Sequence, residues 1–583
     1  MRKLYKLLLM MPAMFFMSGC YDLDRYPQDQ LSSGTFWQTD EQAEEGVLGV
    51  YPALKYGYVF GIYYSMDCVS DLGWGYDDNV GMQSIVQNSY NANSGHVKAR
   101  WQHTYDAIKK ANVVIRNVKA SEQISEGVKK EVIAEARFLR ALFYFHLTNF
   151  FGGVPIYNET VDYDMDYMNL QSLRASEEAA RDFIISDLTA AINDLPVNWE
   201  DDNYGRATKG AAYALRGKVY LFEKEYDKAI EDFEEIVLDP EGRGYGYGLY
   251  SDYAGLFTQE GDASNEMIFA IQNYTAVGFS LGMSFDHYIG NQNSFGFGWN
   301  NVMPSVELAD SYELKNGKLF NWNDFIPEYN EDADVRKNVF VSTLTSDKTE
   351  VENYPVYYNQ LLDMYSQRDP RMAETLILPY THYLGGDPEV KDCEFVFADG
   401  VSRNDGFVIV NRYGNYDNLL YLFRKFVPVG DMNGQLTQKS DRDYAPINFP
   451  IIRYADVLLM LAECYNEKNN VDEAVKYINM VRARPSTDMP AINNGQSWME
   501  ARTKDEVFKR IMHERGVELV LEGHRYCDLK RWGLLDEVLS KPIADIGGTT
   551  IMTRQPFRDQ LLYWPIPSEA RDRNPNLEQN PGW

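Results

Sequence analysis

The chain has 583 residues, of which 45% are hydrophobic and 24% charged, so it can bury a large core and is not a disordered polymer. Its formal charge of −30 repels nucleic acid and anionic lipid headgroups, which argues against nucleic acid as a partner. Five scattered cysteines with no C-x-x-C pair do not encode a disulfide framework, and Cys464 and Cys527 read as buried apolar thiols.

At the start of the chain, Arg2, Lys3 and Lys6 precede an apolar run from Leu7 to Met17 and then Ser18-Gly19-Cys20. A basic start, a short greasy segment and a small-residue exit make residues 1–19 a secretory signal peptide. The run holds about eleven residues, where a spanning helix needs roughly twenty. Ser-Gly-Cys resembles a bacterial lipobox, with Met17 where Leu is usual, and implies cleavage before Cys20 and acylation of its thiol. Each buried methylene contributes about 0.8 kcal/mol, so the two or three acyl chains of a lipoprotein hold firmly where one would not. Tyr21-Asp22-Leu23-Asp24 resembles the acidic tract that directs lipoproteins to the cell exterior. Residues 20–31 therefore read as a lipidated tether on the outer face of the outer membrane. Without Arg2, Lys3 and Lys6, 53 basic residues face 86 acidic ones, a charge of −33 that suits a soluble body standing off a membrane.

The fold class is mostly α. Glu41 to Tyr51 reads as a short helix capped near Thr39 or Asp40. From Val97 to Val118, Trp101, Tyr105, Ile108, Asn112 and Ile115 recur at helical spacing. Lys129 to Phe150 repeats the pattern with Val132, Ala136, Leu139, Phe143 and Leu147, and stops at Gly152-Gly153 with Pro155 beyond. Ser176 caps a further helix that Pro196 ends. Between Thr208 and Leu238, Tyr213, Gly217, Tyr220, Tyr226, Ala229 and Phe233 fit a tetratricopeptide helix-turn-helix. Tyr454 to Arg484 carries a second pair, with Leu458, Ala462, Tyr465, Ala474 and Ile478 at matching offsets, and Lys504 to Leu521 another helix. Such half-repeats, far apart in sequence, predict one scaffold built from helical pairs of both ends. Residues 32–239 form its N-terminal helical region and 240–583 its C-terminal region, packed as one compact unit.

Residues 240–450 are irregular. Gly242 to Gly248 is glycine-rich without the spacing of a nucleotide loop, and runs such as Phe407 to Asn411 predict small hairpins. Loops this long in a compact protein are usually functional. The 42 Tyr, 29 Phe and 10 Trp supply flat apolar faces, in Tyr and Trp with polar edges, which is what a sugar ring needs from its partner.

A series of motifs resembles the SusD/RagB family of surface lipoproteins. Ser33 to Trp37 comes first, with Gly49-Val50-Tyr51, then Glu135 to Ala141 and Phe150 to Pro155. Gly205-Arg206-Ala207-Thr208 and Arg368-Asp369-Pro370-Arg371 continue it. Ile452 to Asp456, Val481 to Arg484, Glu514-Arg515, Glu518-Leu519, Glu522-Gly523, Arg531-Trp532-Gly533 and the closing Asn580-Pro581-Gly582-Trp583 complete it. The motif residues read as structural. Arg137 and Arg140 on one helix, and Glu514, Glu518 and Glu522 on another, suit buried or half-buried ion pairs.

The resemblance implies nutrient binding for a SusC-like, TonB-dependent transporter, with the ligand held in variable loops. Two loops have the chemistry. One runs from Tyr63-Tyr64 to Asn79, where Trp74, Tyr76 and Asn79 resemble the aromatic pair and Asn of the starch-binding member, and Asp71 and Asp78 offer hydroxyl acceptors. The other runs from Phe285 through Tyr288 and Asn291 to Phe295, Phe297, Trp299 and Asn300, mixing rings with amides that donate and accept. An oligosaccharide or polysaccharide is the expected ligand. A peptide, as in the RagB branch, is the alternative, and a surface glycoside hydrolase a more distant one. Catalytic readings fare poorly: His287, His382, His513 and His524 lack H-E-x-x-H spacing, there is no G-x-S-x-G, and Asp162-x-Asp164-x-Asp166 lacks the Gly and Glu of a calcium loop. No catalytic residue, metal or cofactor is expected.

Overall fold

The computed structural model describes residues 36–163, 170–276, 279–291, 294, 298–347, 350–386, 390–398, 407–409, 419–430 and 444–583. The signal peptide, Cys20 and the tether lie outside the described residues.

Local chemistry sets the helix ends. The Thr39 side chain accepts the Gln42 N–H and starts the helix Asp40–Leu48. It ends before Tyr51 because Gly49 follows and Pro52 turns the next residues into a 3-10 coil, Tyr51–Lys55. Gly95–Ala120 and Glu126–Phe151 pack against each other. Gly152 closes the second with a φ of 70°, a conformation that a side chain disfavours. Ser176 caps Glu177–Asp194, which lies on the Glu126–Phe151 helix.

The tetratricopeptide-like pair is Lys209–Phe222, capped by Thr208, and Tyr226–Leu238. A Cβ on Gly217 would stand 2.6 Å from the Phe233 ring, so glycine is what lets these helices close up. The second pair, Tyr454–Glu467 and Val471–Arg482, continues the stack: Tyr454–Glu467 packs directly on Tyr226–Leu238. Lys504–Glu518 follows, started by a capping box between Thr503 and Glu506. Helical pairs from both ends of the chain thus share one core.

Buried ion pairs fasten this stack, with partners that differ from the sequence reading. Arg140 donates to both Asp187 oxygens at 2.7 and 2.8 Å and to Glu159 at 2.7 Å, while Arg137 stands 3.8 Å from Asp187. Glu514, Glu518 and Glu522 belong to a separate network. Arg453 bridges Glu266 at 2.7 Å, Glu518 at 2.8 Å and Glu522 at 2.8 Å. Arg371 reaches Glu514 at 2.6 Å and Glu518 at 2.9 Å, and Lys425 reaches Glu522 at 2.8 Å. Glu266, Arg371 and Lys425 come from the irregular middle of the chain, so the network pins that segment to the C-terminal helices. Charge pattern alone could not choose among so many arginines.

The middle segment contributes small sheets. Met267–Ile271 pairs antiparallel with Phe449–Arg453, and His382–Gly386 with Val390–Val396. Phe407–Ile409 is a strand, but it pairs in parallel with Glu394 to Val396 and so is not half of a hairpin. Among the described residues no helix is long and apolar enough to cross a membrane.

Candidate functional site

The two loops singled out from sequence meet. The short strand Gly73–Gly75 pairs antiparallel with Val302–Pro304, setting Trp74 opposite Met303. Ser305 locks the pairing: its N–H donates to the Leu72 carbonyl at 3.1 Å and its hydroxyl to the Asp71 carbonyl at 2.5 Å. Asp77 does the same on the far side. Its Oδ1 accepts the N–H groups of Asn79 at 2.7 Å and Val80 at 2.8 Å, and its Oδ2 accepts Asn301 Nδ2 at 2.6 Å. Gly75 sits so close to Gly81 that a Cβ would lie 2.2 Å from its Cα. This close backbone contact, not loop length, fixes the turn.

Within that frame the predicted residues divide. Trp74 is 2% exposed and Tyr64 fully buried, the Tyr64 ring 5.4 Å from Phe285. Neither presents a face to solvent, so both are corrected from ligand shelf to core: strand pairing turns the Trp74 ring inward, and Tyr64 is buried on the 3-10 helix Tyr63–Val69. Asp71 is no free acceptor either. Burial pushes its carboxyl up, but the Arg525 guanidinium, 2.7 Å away, more than offsets this and holds it below its ordinary range.

Of the others, Trp299, Tyr76, Tyr288 and Asn79 keep some exposure, whereas Asn300 and Asn291 are buried. Trp299 is 47% exposed. The Tyr76 hydroxyl donates to its carbonyl at 3.4 Å, and His287 meets the indole edge-on at 4.5 Å while stacking on Tyr288 at 4.4 Å. Tyr76 and Tyr288 are half-buried and Asn79 and Asp78 are exposed. Asn300 is itself buried, with a φ of 56° that turns the chain just after Trp299. The Asn291 amide oxygen accepts the Tyr383 hydroxyl at 3.2 Å. Phe295 and Phe297 lie outside the described residues, as do Asp164 and Asp166, whereas Asp162 is paired with Arg116 at 2.6 Å. Sequence reading missed His287 as the ring that braces Trp299, although its place beside Tyr288 was a signal. It missed Tyr383 too, and nothing local pointed there. An exposed indole bordered by phenols and amides can stack on a flat apolar face and hydrogen-bond hydroxyls around it.

Comparison with known proteins gives a consistent picture. Residues 265–583 match the SusD family, residues 23–221 a family described as starch-binding associating with outer membrane, and residues 210–238 a tetratricopeptide repeat. Two SusD-like proteins of Formosa agariphila are 25% and 27% identical to the chain; each match covers 97% of the chain and 96% or 97% of the relative. Among solved structures, a SusD-like protein of Bacteroides fragilis superposes with a TM-score of 0.73 at 22% identity, covering 96% of this chain and all of that one. Surface glycan-binding protein A of Bacteroides thetaiotaomicron, in complex with laminarihexaose, superposes with a TM-score of 0.62 at 19% identity, covering 93% of this chain and 99% of that one.

Proposed function

This chain belongs to the SusD family, and on that premise we propose that it is a cell-surface lipoprotein that captures a glycan and delivers it to a SusC-like, TonB-dependent transporter in the outer membrane. The observation that carries the reading is the meeting of two distant loops that leaves Trp299 47% exposed, with the Tyr76 hydroxyl on its carbonyl and His287, itself stacked on Tyr288, against its indole. A sugar ring lays its C–H face on the indole, and the Asn79 amide and the phenol groups engage its hydroxyls. The protein breaks no bond, and the free energy for uptake enters through the transporter. Lipid on Cys20 keeps the body beside its barrel.

Support also comes from the N-terminal match to a starch-binding, outer-membrane-associating family and from the laminarihexaose bound to a protein of the same fold. Two or three stacked rings give affinities between micromolar and millimolar, about 4–8 kcal/mol. Many copies on one cell raise the avidity. Affinity gels of amylopectin, laminarin, levan, xylan and galactomannan, run with the soluble chain that begins after Cys20, test the reading. It expects retention by at least one polymer and no release of reducing sugar. Retention by none, or robust turnover, contradicts it.

A further inference from the structure

A second cleft is lined by none of the residues described around Trp299. The segment before the Lys209–Phe222 helix, the Tyr245–Tyr247 stretch and the strand Met267–Ile271 line a cavity of about 140 Å³. Trp199, Tyr204 and Tyr247 line it, over a floor that includes buried Phe269. Tyr204 is 44% exposed, with its hydroxyl donating to the Asp262 carbonyl at 2.7 Å. The walls are drawn in by glycines: a Cβ on Gly210 would meet the Tyr247 ring at 2.5 Å, and one on Gly205, whose φ is 92°, would meet Gln272 at 2.4 Å.

The polar groups define what fits. Arg206 lies 3.9 Å over the Trp199 ring, but its Nε and Nη2 donate to the two oxygens of Glu135 and its Nη1 to the Asn203 side chain, so the cleft offers no uncompensated charge to an ion. Ser264 Oγ is buried with no hydrogen-bond partner among the described residues, and Asn265 is exposed at the rim. An orphaned hydroxyl, an amide and aromatic walls without net charge match a neutral, hydroxyl-rich ring with an apolar face. We propose that this cleft is a second carbohydrate-binding site that takes a neutral sugar unit. The proposal rests on reading the chain as a glycan binder and deepens it, because two weak sites on one body favour a long polymer over a short oligosaccharide.

Two variants test it on whichever of the five polymers the wild type retains. Tyr204→Ala removes the exposed ring, and Ala263→Trp fills the cleft from an exposed lining position. Each is expected to weaken retention by about threefold to tenfold, the effect of losing one stack, while Trp299→Ala weakens it independently and the double variants more than either. Tyr204→Phe, which keeps the ring, is expected to bind as the wild type does. If Tyr204→Ala fails to fold, Ala263→Trp decides. Unchanged retention by folded Tyr204→Ala and Ala263→Trp, alongside loss in Trp299→Ala, overturns the second site and leaves the function standing. Retention of none of the five polymers by the wild type overturns the function and this site with it.

Discussion

Asn301 donates its side-chain amide to the Asp77 carboxylate across 2.6 Å, and this bond joins two loops more than two hundred residues apart in sequence. The same carboxylate holds the backbone N–H groups of Asn79 and Val80. Asp77→Ala leaves these donors without their acceptor. It is expected to lower stability by about 1–3 kcal/mol and to weaken glycan binding, because Asn79 and the approach to Trp299 lose their register. Asp77→Asn, which keeps an acceptor oxygen, should fall between the two. Denaturant midpoints and affinity gels on the three proteins check this order.

Trp74 and Trp299 should respond in opposite ways. Trp74→Ala removes a buried ring and is expected to cost about 3–5 kcal/mol of stability. Trp299→Ala removes a half-exposed one and should leave the unfolding midpoint nearly unchanged while weakening binding. Urea titrations followed by circular dichroism separate the two.

That contrast marks how far the sequence could be read. The helices were legible because their signals are local: Thr39, Ser176, Thr208 and Thr503 each cap the helix that follows. The chemistry of each loop was legible, in rings set among glycines and amides, but that the two loops meet was not, because their pairing is a tertiary contact. Which ring faces out was not. Trp74 and Trp299 both follow a glycine, and only the pairing of Gly73–Gly75 with Val302–Pro304 sends one of them inward. The ion network was hidden for the same reason, since Arg453 finds Glu266, Glu518 and Glu522 only through tertiary contact.

The buried network predicts acid sensitivity. Burial pushes the Glu514, Glu518 and Glu522 carboxyls up, but Arg371, Arg453, Arg482, Arg484 and Lys425 outweigh it and hold all three below their ordinary range. The unfolded chain therefore binds protons that the folded one refuses. Stability from these groups is full above the ordinary glutamate value of about 4.3 and is lost progressively as pH falls below it, through the lower values of the folded state. Glu518→Gln is expected to cost about 3–5 kcal/mol at neutral pH, because it strands buried arginines, and to differ less from the wild type as the pH drops below about 4. Urea midpoints from pH 3 to 7 test both parts.

Asp67 predicts the reverse slope. Burial, opposed by the Leu521 N–H at 2.5 Å, pushes its carboxyl up to about 7. Between about pH 4 and 7 the folded chain holds a proton that the unfolded chain has released, so the contribution of this group falls as pH rises through that window. Asp67→Asn, permanently neutral, should flatten the slope. Melting temperatures of both proteins from pH 5 to 8 check it, and parallel curves would count against the assignment.

The anchor has its own test. Cys20→Ala is expected to keep its glycan affinity in solution while the protein is lost from the cell surface. Whole-cell labelling and a binding assay on purified protein read the two effects separately, and firm surface retention of the variant would sink the lipid assignment.

The most direct measurement is the affinity of wild-type and Trp299→Ala protein for the polysaccharide that the wild type retains, with circular dichroism showing both folded. The account predicts that the variant binds about tenfold more weakly or worse, as expected when a principal stacking face is removed. Equal affinity in the two proteins would contradict it.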